Sequence, residues 1–166
     1  MTQYRTVLGS LNDFEKGGIQ IINDNPKNYA FSNFFEVANK SSPYEKVVVA
    51  KNLQYVIEAI RAEGQSPWYA CDHDEFAVVM DGEVEIDLVK LDNAESVVPP
   101  GKEGAVRVEG EPQGPKMGLI KLRRGHQALL PKGAAYRFRA AKPSCMIQQT
   151  IIGDLSVEKW ADICLS

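Results

Sequence analysis

The stretches 125–136 (GHQALLPKGAAY) and 75–82 (EFAVVMDG) decide the fold of this chain. In the longer stretch, Gly125, Pro131 and Gly133 stand at intervals that suit tight turns between short strands. Glycine adopts a positive φ without steric cost and proline fixes φ, so both residue types belong at the corners of a compact β structure. We therefore expect short antiparallel strands around both stretches.

Strand-like runs extend in both directions from these stretches. The turn Asp81-Gly82 lies between two alternating runs and predicts a β-hairpin. Residues 93–115 are rich in Pro, Gly and charge, and they predict a long hairpin loop or insertion. Many short strands at close spacing predict a barrel or a double-sheet jelly roll. The predicted strands cover residues 19–22, 30–37, 47–50, 68–79, 83–91, 118–123, 127–130, 135–140 and 145–152.

Helices are expected only in short segments. Apolar residues in 53–62 recur at the helical period and Gly64 follows as a C-cap, so we predict a helix there, although a strand also fits. Residues 10–15 are predicted to form a capped helical turn. Near the end of the sequence, Ser156 is predicted to cap a short helix that buries Val157, Trp160 and Ala161.

The chain divides into an N-terminal arm, residues 1–18, and a single domain, residues 19–166. A length of 166 residues suits one domain with its own core. The arm has little apolar periodicity and cannot bury much of itself. We therefore expect it to be frayed or docked on another chain.

Composition excludes several classes of function. The net charge is −3 with both signs spread along the chain, so we expect no nucleic-acid partner. No apolar run approaches the ~18 residues that span a bilayer, and no apolar secretion signal is visible, so we expect a cytoplasmic protein without a membrane partner. The three cysteines, at positions 71, 145 and 164, are widely spaced and are expected as free thiols.

The two opening stretches resemble the two motifs of the cupin superfamily. That resemblance implies an all-β fold, a cupin jelly-roll β-barrel with short helices at or near the termini. Glu75 matches the glutamate of the first motif, but Tyr69 and Cys71 stand at its two histidine positions, and Tyr136 replaces the histidine of the second motif. These missing imidazoles remove the usual ligands of iron, manganese or zinc. We therefore expect a scaffold without a bound metal and without catalytic residues of its own.

A metal site of another kind has a concrete form. Cys71, His73 and Glu75 have the same parity on one strand, so their thiol, imidazole and carboxylate could hold a metal with Tyr136 opposite. The competing interpretation places His73 and Asp72 at the barrel mouth and ties Glu75 to a neighbouring strand by hydrogen bonds. We favour the second interpretation, because three ligands on one strand are geometrically cramped.

A narrower resemblance covers the whole chain. The segments 4–17 (YRTVLGSLNDFEKG), 29–52 (YAFSNFFEVANKSSPYEKVVVAKN) and 68–91 (WYACDHDEFAVVMDGEVEIDLVKL) are similar to the small subunit of two-subunit hydroquinone 1,2-dioxygenases. That family serves bacterial degradation of p-nitrophenol and 4-hydroxyacetophenone. The resemblance implies a larger cupin-containing catalytic subunit as partner. The partner would hold Fe(II) and cleave hydroquinone with O₂ to 4-hydroxymuconic semialdehyde, so this chain would bind no cofactor and would lie near the aromatic substrate at the interface.

On this resemblance the arm gains a function. Tyr4, Arg5 and Leu8 are expected to reach into the partner's active site as a lid, since lids are drawn from weakly packed segments. The alternative is a stand-alone metal-free cupin, either a sugar isomerase or epimerase or a small-ligand binding protein. An isomerase needs an acid/base pair, such as Tyr136 with Glu75 or His73, across a ligand-sized space. A cupin that only dimerises is a third class.

Overall fold

The computed structural model describes residues 9–15, 22–23 and 33–159. Within these ranges one ten-stranded sheet curls into an incomplete barrel. Its strands are β1 (Lys46–Asn52), β2 (Tyr55–Gln65), β3 (Trp68–Ala70), β4 (Glu75–Asp81), β5 (Glu83–Lys90), β6 (Val106–Val108), β7 (Lys116–Arg123), β8 (Gln127–Leu130), β9 (Ala134–Ile151) and β10 (Ser156–Val157). The helices are α1 (Phe34–Lys40) and α2 (Ala94–Val97). Neither helix has the length and apolarity needed to cross a membrane.

The long strand β9 holds the barrel together. Along one edge it pairs antiparallel with β2, from Ile151 opposite Tyr55 to Arg139 opposite Gln65, and then with β3. Along the other edge it pairs with β4 and then with β5. Each of these strands therefore takes its position in the barrel from β9.

Gly82 is a kink between two strands and not a hairpin turn. Strands β4 and β5 both pair antiparallel with β9, so the chain continues in one direction through Gly82, whose φ is 81°. The hairpin predicted at Asp81-Gly82 is therefore wrong. An Asp-Gly pair indicates a position where the backbone takes a positive φ. A kink next to a β-bulge places Gly82 at a positive φ just as a hairpin turn would.

Residues 55–65 form a strand, so the helix predicted over 53–62 is wrong. Val56, Ile60 and Ala62 point into the barrel, while Ala59 on the opposite face is buried under α1. A strand covered on both faces carries apolar residues at mixed spacings, which imitate a helical period.

The strand predicted over 30–37 is also wrong from residue 34 onward, where α1 begins. The Asn33 side chain accepts a hydrogen bond of 3.0 Å from the Phe35 backbone N–H and caps the helix. Phe35, Val37 and Ala38 are buried against the outer face of the sheet. Residues 19–21 of the predicted strand 19–22 and residues 30–32 of this one lie outside the described residues.

The C-terminal helix predicted from Ser156 is not formed at its first residues. Ser156 and Val157 make strand β10, which runs parallel to β1. The Ser156 hydroxyl donates a 2.6 Å hydrogen bond to Glu58 instead of capping a helix. Trp160 and Ala161 lie outside the described residues. The connection over 93–115 does join a pair of antiparallel strands, β5 and β7, as predicted, and it contains α2 and β6.

Residues 9–15 of the arm pack on the barrel of their own chain, which differs from the frayed or partner-docked arm that the sequence suggested. The Leu11 backbone N–H donates to Asp81 at 3.0 Å. Leu11 and Phe14 pack on Phe35 and Cys145. The predicted turn at Ser10 is present, with Asp13 N–H donating to the Ser10 hydroxyl at 3.1 Å, but it is not helical. The boundary after residue 18 stays a prediction.

Candidate functional site

The four cupin ligand positions converge inside the barrel. Strand β3 places Tyr69 opposite Tyr136 of β9, with ring centroids 5.8 Å apart. The Tyr136 hydroxyl donates a short hydrogen bond to Glu75. Cys71 is buried beside them, with its sulfur within 4.8 Å of the Glu75 carboxylate. The motif spacing therefore located the barrel centre, although three of the four side chains differ from the cupin ligands.

Glu75 is held by the strand next to it. Its side chain is fully buried; one carboxylate oxygen accepts the Tyr136 hydroxyl and the other accepts the Thr150 hydroxyl at 2.7 Å. Gln148 donates to the Tyr136 oxygen at 3.0 Å and extends the network along β9. Both carboxylate oxygens are thus used by β9, in agreement with the favoured interpretation of Glu75.

A buried lysine completes this network, and the sequence reading missed it. Lys46 is only 3% exposed, and its Nζ lies 2.7 Å from Gln148 Oε1 and 3.5 Å from Glu58 Oε2. The same atom lies 5.0 Å from the centroid of the Tyr69 ring, a cation–π contact. The sequence offered one signal, since Lys46 stands directly before the apolar run Val47–Val49. A lysine next to a buried run is itself buried only when it is paired, so a partner for Lys46 could have been expected.

Lys46 keeps its charge in this setting. Burial by itself lowers the pKa of Lys46, but the carboxylates of Glu58 and Glu75 outweigh it and raise the pKa above the usual value. The Ser156 hydroxyl also donates to Glu58 and helps to hold that carboxylate in place. A positive charge therefore sits next to the centre where a metal cupin holds its cation.

The thiol and phenol groups at the centre stay protonated. Burial, and after it the charge of Glu75, raises the pKa of the Cys71 thiol. The same two causes raise the pKa of Tyr136 well above its usual value. Since the thiolate is the metal-binding form of cysteine, this environment disfavours Cys71 as a ligand.

The three residues of the alternative metal cluster come together, and two of them, His73 and Glu75, are already hydrogen-bonded within the chain. The ligand atoms of Cys71, His73 and Glu75 lie within 4.8 Å of one another. However, both oxygens of Glu75 accept hydrogen bonds, the Cys71 thiol is held protonated, and the Lys46 ammonium opposes a second cation nearby. His73 Nε2 also lies 3.0 Å from the Thr150 hydroxyl. These residues fit Fe(II) poorly in this arrangement.

One of the two acid/base pairs suggested for an isomerase, Tyr136 with Glu75, has no ligand-sized space between its members. Tyr136 and Glu75 are in direct hydrogen-bond contact, so no substrate fits between them. Several cavities lie elsewhere among the described residues. One, of about 790 Å³, is on the outside near Gly82 and Arg139. Another, of about 450 Å³, opens beside the barrel centre and is lined among others by Tyr44, Tyr69 and Arg107; we call it the Tyr69 cavity.

Tyr4, Arg5 and Leu8, the residues predicted to form a lid, lie outside the described residues. The described part of the arm begins at Gly9, whose carbonyl oxygen accepts a hydrogen bond from the Arg124 guanidinium. The lid therefore stays a prediction, with its point of attachment known.

Comparison with solved structures gives near full-length matches. The chain is 55% identical to a chain of hydroquinone 1,2-dioxygenase from Sphingomonas sp. TTNP3 with 4-hydroxybenzoate bound, covering 98% of each chain at a TM-score of 0.90. It is 54% identical to a chain of hydroquinone 1,2-dioxygenase PnpCD in complex with Cd²⁺ and 4-hydroxybenzonitrile, covering 100% of this chain and 99% of that one at a TM-score of 0.88. No protein-family model and no curated protein sequence matches the chain.

More distant matches concern the fold. A cupin-2 domain protein from Shewanella frigidimarina NCIMB 400 is 18% identical, covering 74% of this chain and 96% of that one at a TM-score of 0.51. A longer chain of PnpCD in complex with Fe³⁺ is 13% identical, covering 85% of this chain but 38% of that one at a TM-score of 0.57. The chain therefore has the predicted cupin fold, and it belongs to the hydroquinone 1,2-dioxygenase family.

Proposed function

We propose that this chain is the small, non-catalytic subunit of an Fe(II)-dependent hydroquinone 1,2-dioxygenase, which cleaves hydroquinone with O₂ to 4-hydroxymuconic semialdehyde. The near full-length match to chains of that enzyme supports membership of the complex. The observation that carries the non-catalytic role is the network at the barrel centre. There Glu75 is engaged by two hydroxyl groups and Lys46 provides the positive charge.

The proposed partner is a larger, cupin-containing subunit that holds the iron. Structures of PnpCD contain a chain that is matched nearly end to end and a longer chain of which this fold covers 38%. Two chains of unequal length that share one fold support a complex of a small and a large cupin subunit. The iron would supply open coordination positions for the aromatic substrate and O₂.

The contribution of this chain is the shape of the assembly near the substrate. Its barrel centre is closed by Lys46, Gln148, Tyr136 and Glu75, so it is a rigid body on which a partner can build a cleft that excludes water. The arm would add the lid. Since an extended chain advances at most ~3.6 Å per residue, Tyr4 can reach no further than about 18 Å from Gly9.

A cytoplasmic setting and a place in p-nitrophenol degradation belong to the same proposal. Cys71 and Cys145 are buried as free thiols, which suits a reducing compartment. Crystal structures of the family hold single-ring para-substituted aromatic molecules, 4-hydroxybenzoate and 4-hydroxybenzonitrile. A substrate of that size and shape is what the proposal requires.

The test compares three preparations: this chain, the larger subunit and the reconstituted complex. We expect bound iron and hydroquinone-dependent O₂ uptake to need the larger subunit. The double variant Cys71→Ser/His73→Gln removes two of the three clustered ligands, and we expect the complex that contains it to keep its iron content. Stoichiometric iron and O₂ uptake in this chain alone, lost in the double variant, would contradict the proposal.

A further inference from the structure

We propose that this chain has a small-molecule site of its own, in which the Tyr69 cavity binds a small planar carboxylate. The carboxylate group pairs with Arg107, and the flat carbon skeleton lies against the rings of Tyr44 and Tyr69. The site lies on this chain alone and does not depend on the proposed function.

The hydroxyl group of Tyr69 is available to a ligand. Tyr69 is only 2% exposed and lines the cavity, yet its hydroxyl makes no hydrogen bond to any residue in 9–15, 22–23 or 33–159. The oxygen is not among the fully buried atoms that lack a partner, so it opens onto the cavity, where a bound molecule can pair with it without displacing a protein group. Burial raises the pKa of Tyr69, so the phenol stays protonated and can donate to a carboxylate.

Arg107 gives the cavity an unpaired positive charge. It stands directly opposite Tyr69 on the neighbouring strand β6, is exposed, and forms no salt bridge within the part of the chain that the structure describes. The acidic residues of the rim are already paired, Glu45 with Lys159 at 2.6 Å and Glu63 with Arg61 at 2.7 Å. The rim therefore favours an anion, and a guanidinium binds carboxylates through two parallel hydrogen bonds.

Tyr44 is an independent sign of a functional surface. This bulky, buried residue has a φ of 60°, in the left-handed region that non-glycine residues avoid. Its hydroxyl donates to the Gly64 carbonyl oxygen at 2.7 Å, and its ring is nearly parallel to that of Phe138, at an interplanar angle of 9°. Strained residues of this kind cluster where ligands are held. The strain here fixes an aromatic ring on the cavity wall.

The size of the cavity limits the ligand to one ring. Its volume of about 450 Å³ falls in the lower part of the ~300–1,000 Å³ range of ligand pockets. Two tyrosines, Tyr44 and Tyr69, are among the lining residues and favour a planar molecule. The free guanidinium of Arg107 favours a single carboxylate. Benzoates and short conjugated acids share this chemistry, whereas sugars and phosphates do not.

The experiment uses the purified full chain without its partner and without iron. Binding of 4-hydroxybenzoate is measured by titration calorimetry and by saturation-transfer NMR, next to the uncharged analogue 4-hydroxybenzamide. We expect saturable one-to-one binding of the acid and at least about tenfold weaker binding of the amide, because the charge-assisted pair with Arg107 is lost. Arg107→Gln and Tyr69→Phe should each weaken binding of the acid, while Arg123→Gln, an exposed arginine outside the cavity, should not.

Arg107 is exposed, so the Arg107→Gln variant is expected to unfold at the temperature of the wild type. Absence of saturable binding, equal binding of acid and amide, or unchanged binding in both the Arg107 and Tyr69 variants would overturn the proposal. Because no partner or iron is present, none of these results bears on the accessory role in the dioxygenase.

Discussion

The buried ammonium group of Lys46 is the feature whose removal is easiest to quantify. Lys46→Met keeps a side chain of similar length beside Tyr69 but leaves Glu58 and Gln148 without the charged donor. Lys46 and Glu58 are 3% and 1% exposed, so water screens their interaction little. Breaking such a buried pair costs about 3–5 kcal/mol. The separation of 3.5 Å is long, which places the expected loss near the lower end.

A loss of about 3 kcal/mol in the free energy of unfolding corresponds to a fall in Tm of roughly 6–12 °C for a domain of this size. The measurement is urea unfolding followed by tryptophan fluorescence, with a thermal scan as a second readout. Lys51→Met is the matched control, because Lys51 forms an ion pair with Glu158 in which both side chains are about half exposed. We expect that control to change stability little.

A double variant, Lys46→Met with Glu58→Gln, separates charge from packing. It removes both charges, so it should recover a large part of the loss if an unpaired carboxylate is the cause. The reasoning is refuted if Lys46→Met is as stable as Lys51→Met, or if the double variant is no more stable than Lys46→Met. The pH dependence gives a further check. Because the pKa of Lys46 is raised above 10.5, its contribution is fully present below that pH and is lost as the pH rises beyond it.

Two further predictions concern the kink and the buried thiols. Gly82→Ala should destabilise the chain more than Gly110→Ala, because both glycines have a positive φ but only at Gly82 would a Cβ lie 2.2 Å from the Ser144 hydroxyl oxygen; urea unfolding of both variants checks this, and equal losses would contradict it. Burial raises the pKa of the Cys71 thiol, and that of Cys145 to about 12, so a thiol reagent at neutral pH should modify neither residue in the native chain and both after unfolding, as mass spectrometry can show.

The turn residues made the fold predictable. Gly125, Pro131 and Gly133 stand at corners of the barrel, whichever side chains lie between them. The spacing of these turn residues was therefore enough to identify the fold. Gly82 was identified as a residue that needs a positive φ, but the same signal serves a hairpin and a kink. The helix prediction for 53–62 was wrong because α1 covers the outer face of β2. A sequence does not show which strands are buried on both faces.

The site was half predictable. Tyr69, Cys71, Glu75 and Tyr136 were placed together by motif spacing alone, and the hydrogen bonds that hold Glu75 were expected. The buried ammonium group of Lys46 was not expected. Lys46 contacts Gln148, a residue 102 positions away in sequence, only because β1 pairs with β2 and β2 pairs with β9. Contacts of that kind follow from topology and leave no local pattern.

The role of β9 has a consequence for the order in which the chain can fold. Four strands, β2 to β5, pair with β9, which comes late in the sequence. Tyr55, for example, pairs with Ile151, which is far from it along the chain. During synthesis those strands emerge with unpaired edges and no closing strand, and such long-range pairings form slowly. Until residue 151 has left the ribosome, pairs such as β1–β2, β4–β8 and β5–β7 can form, but nothing yet joins them into a barrel. The barrel therefore closes late, once β9 is available to join the pairs that were made before it.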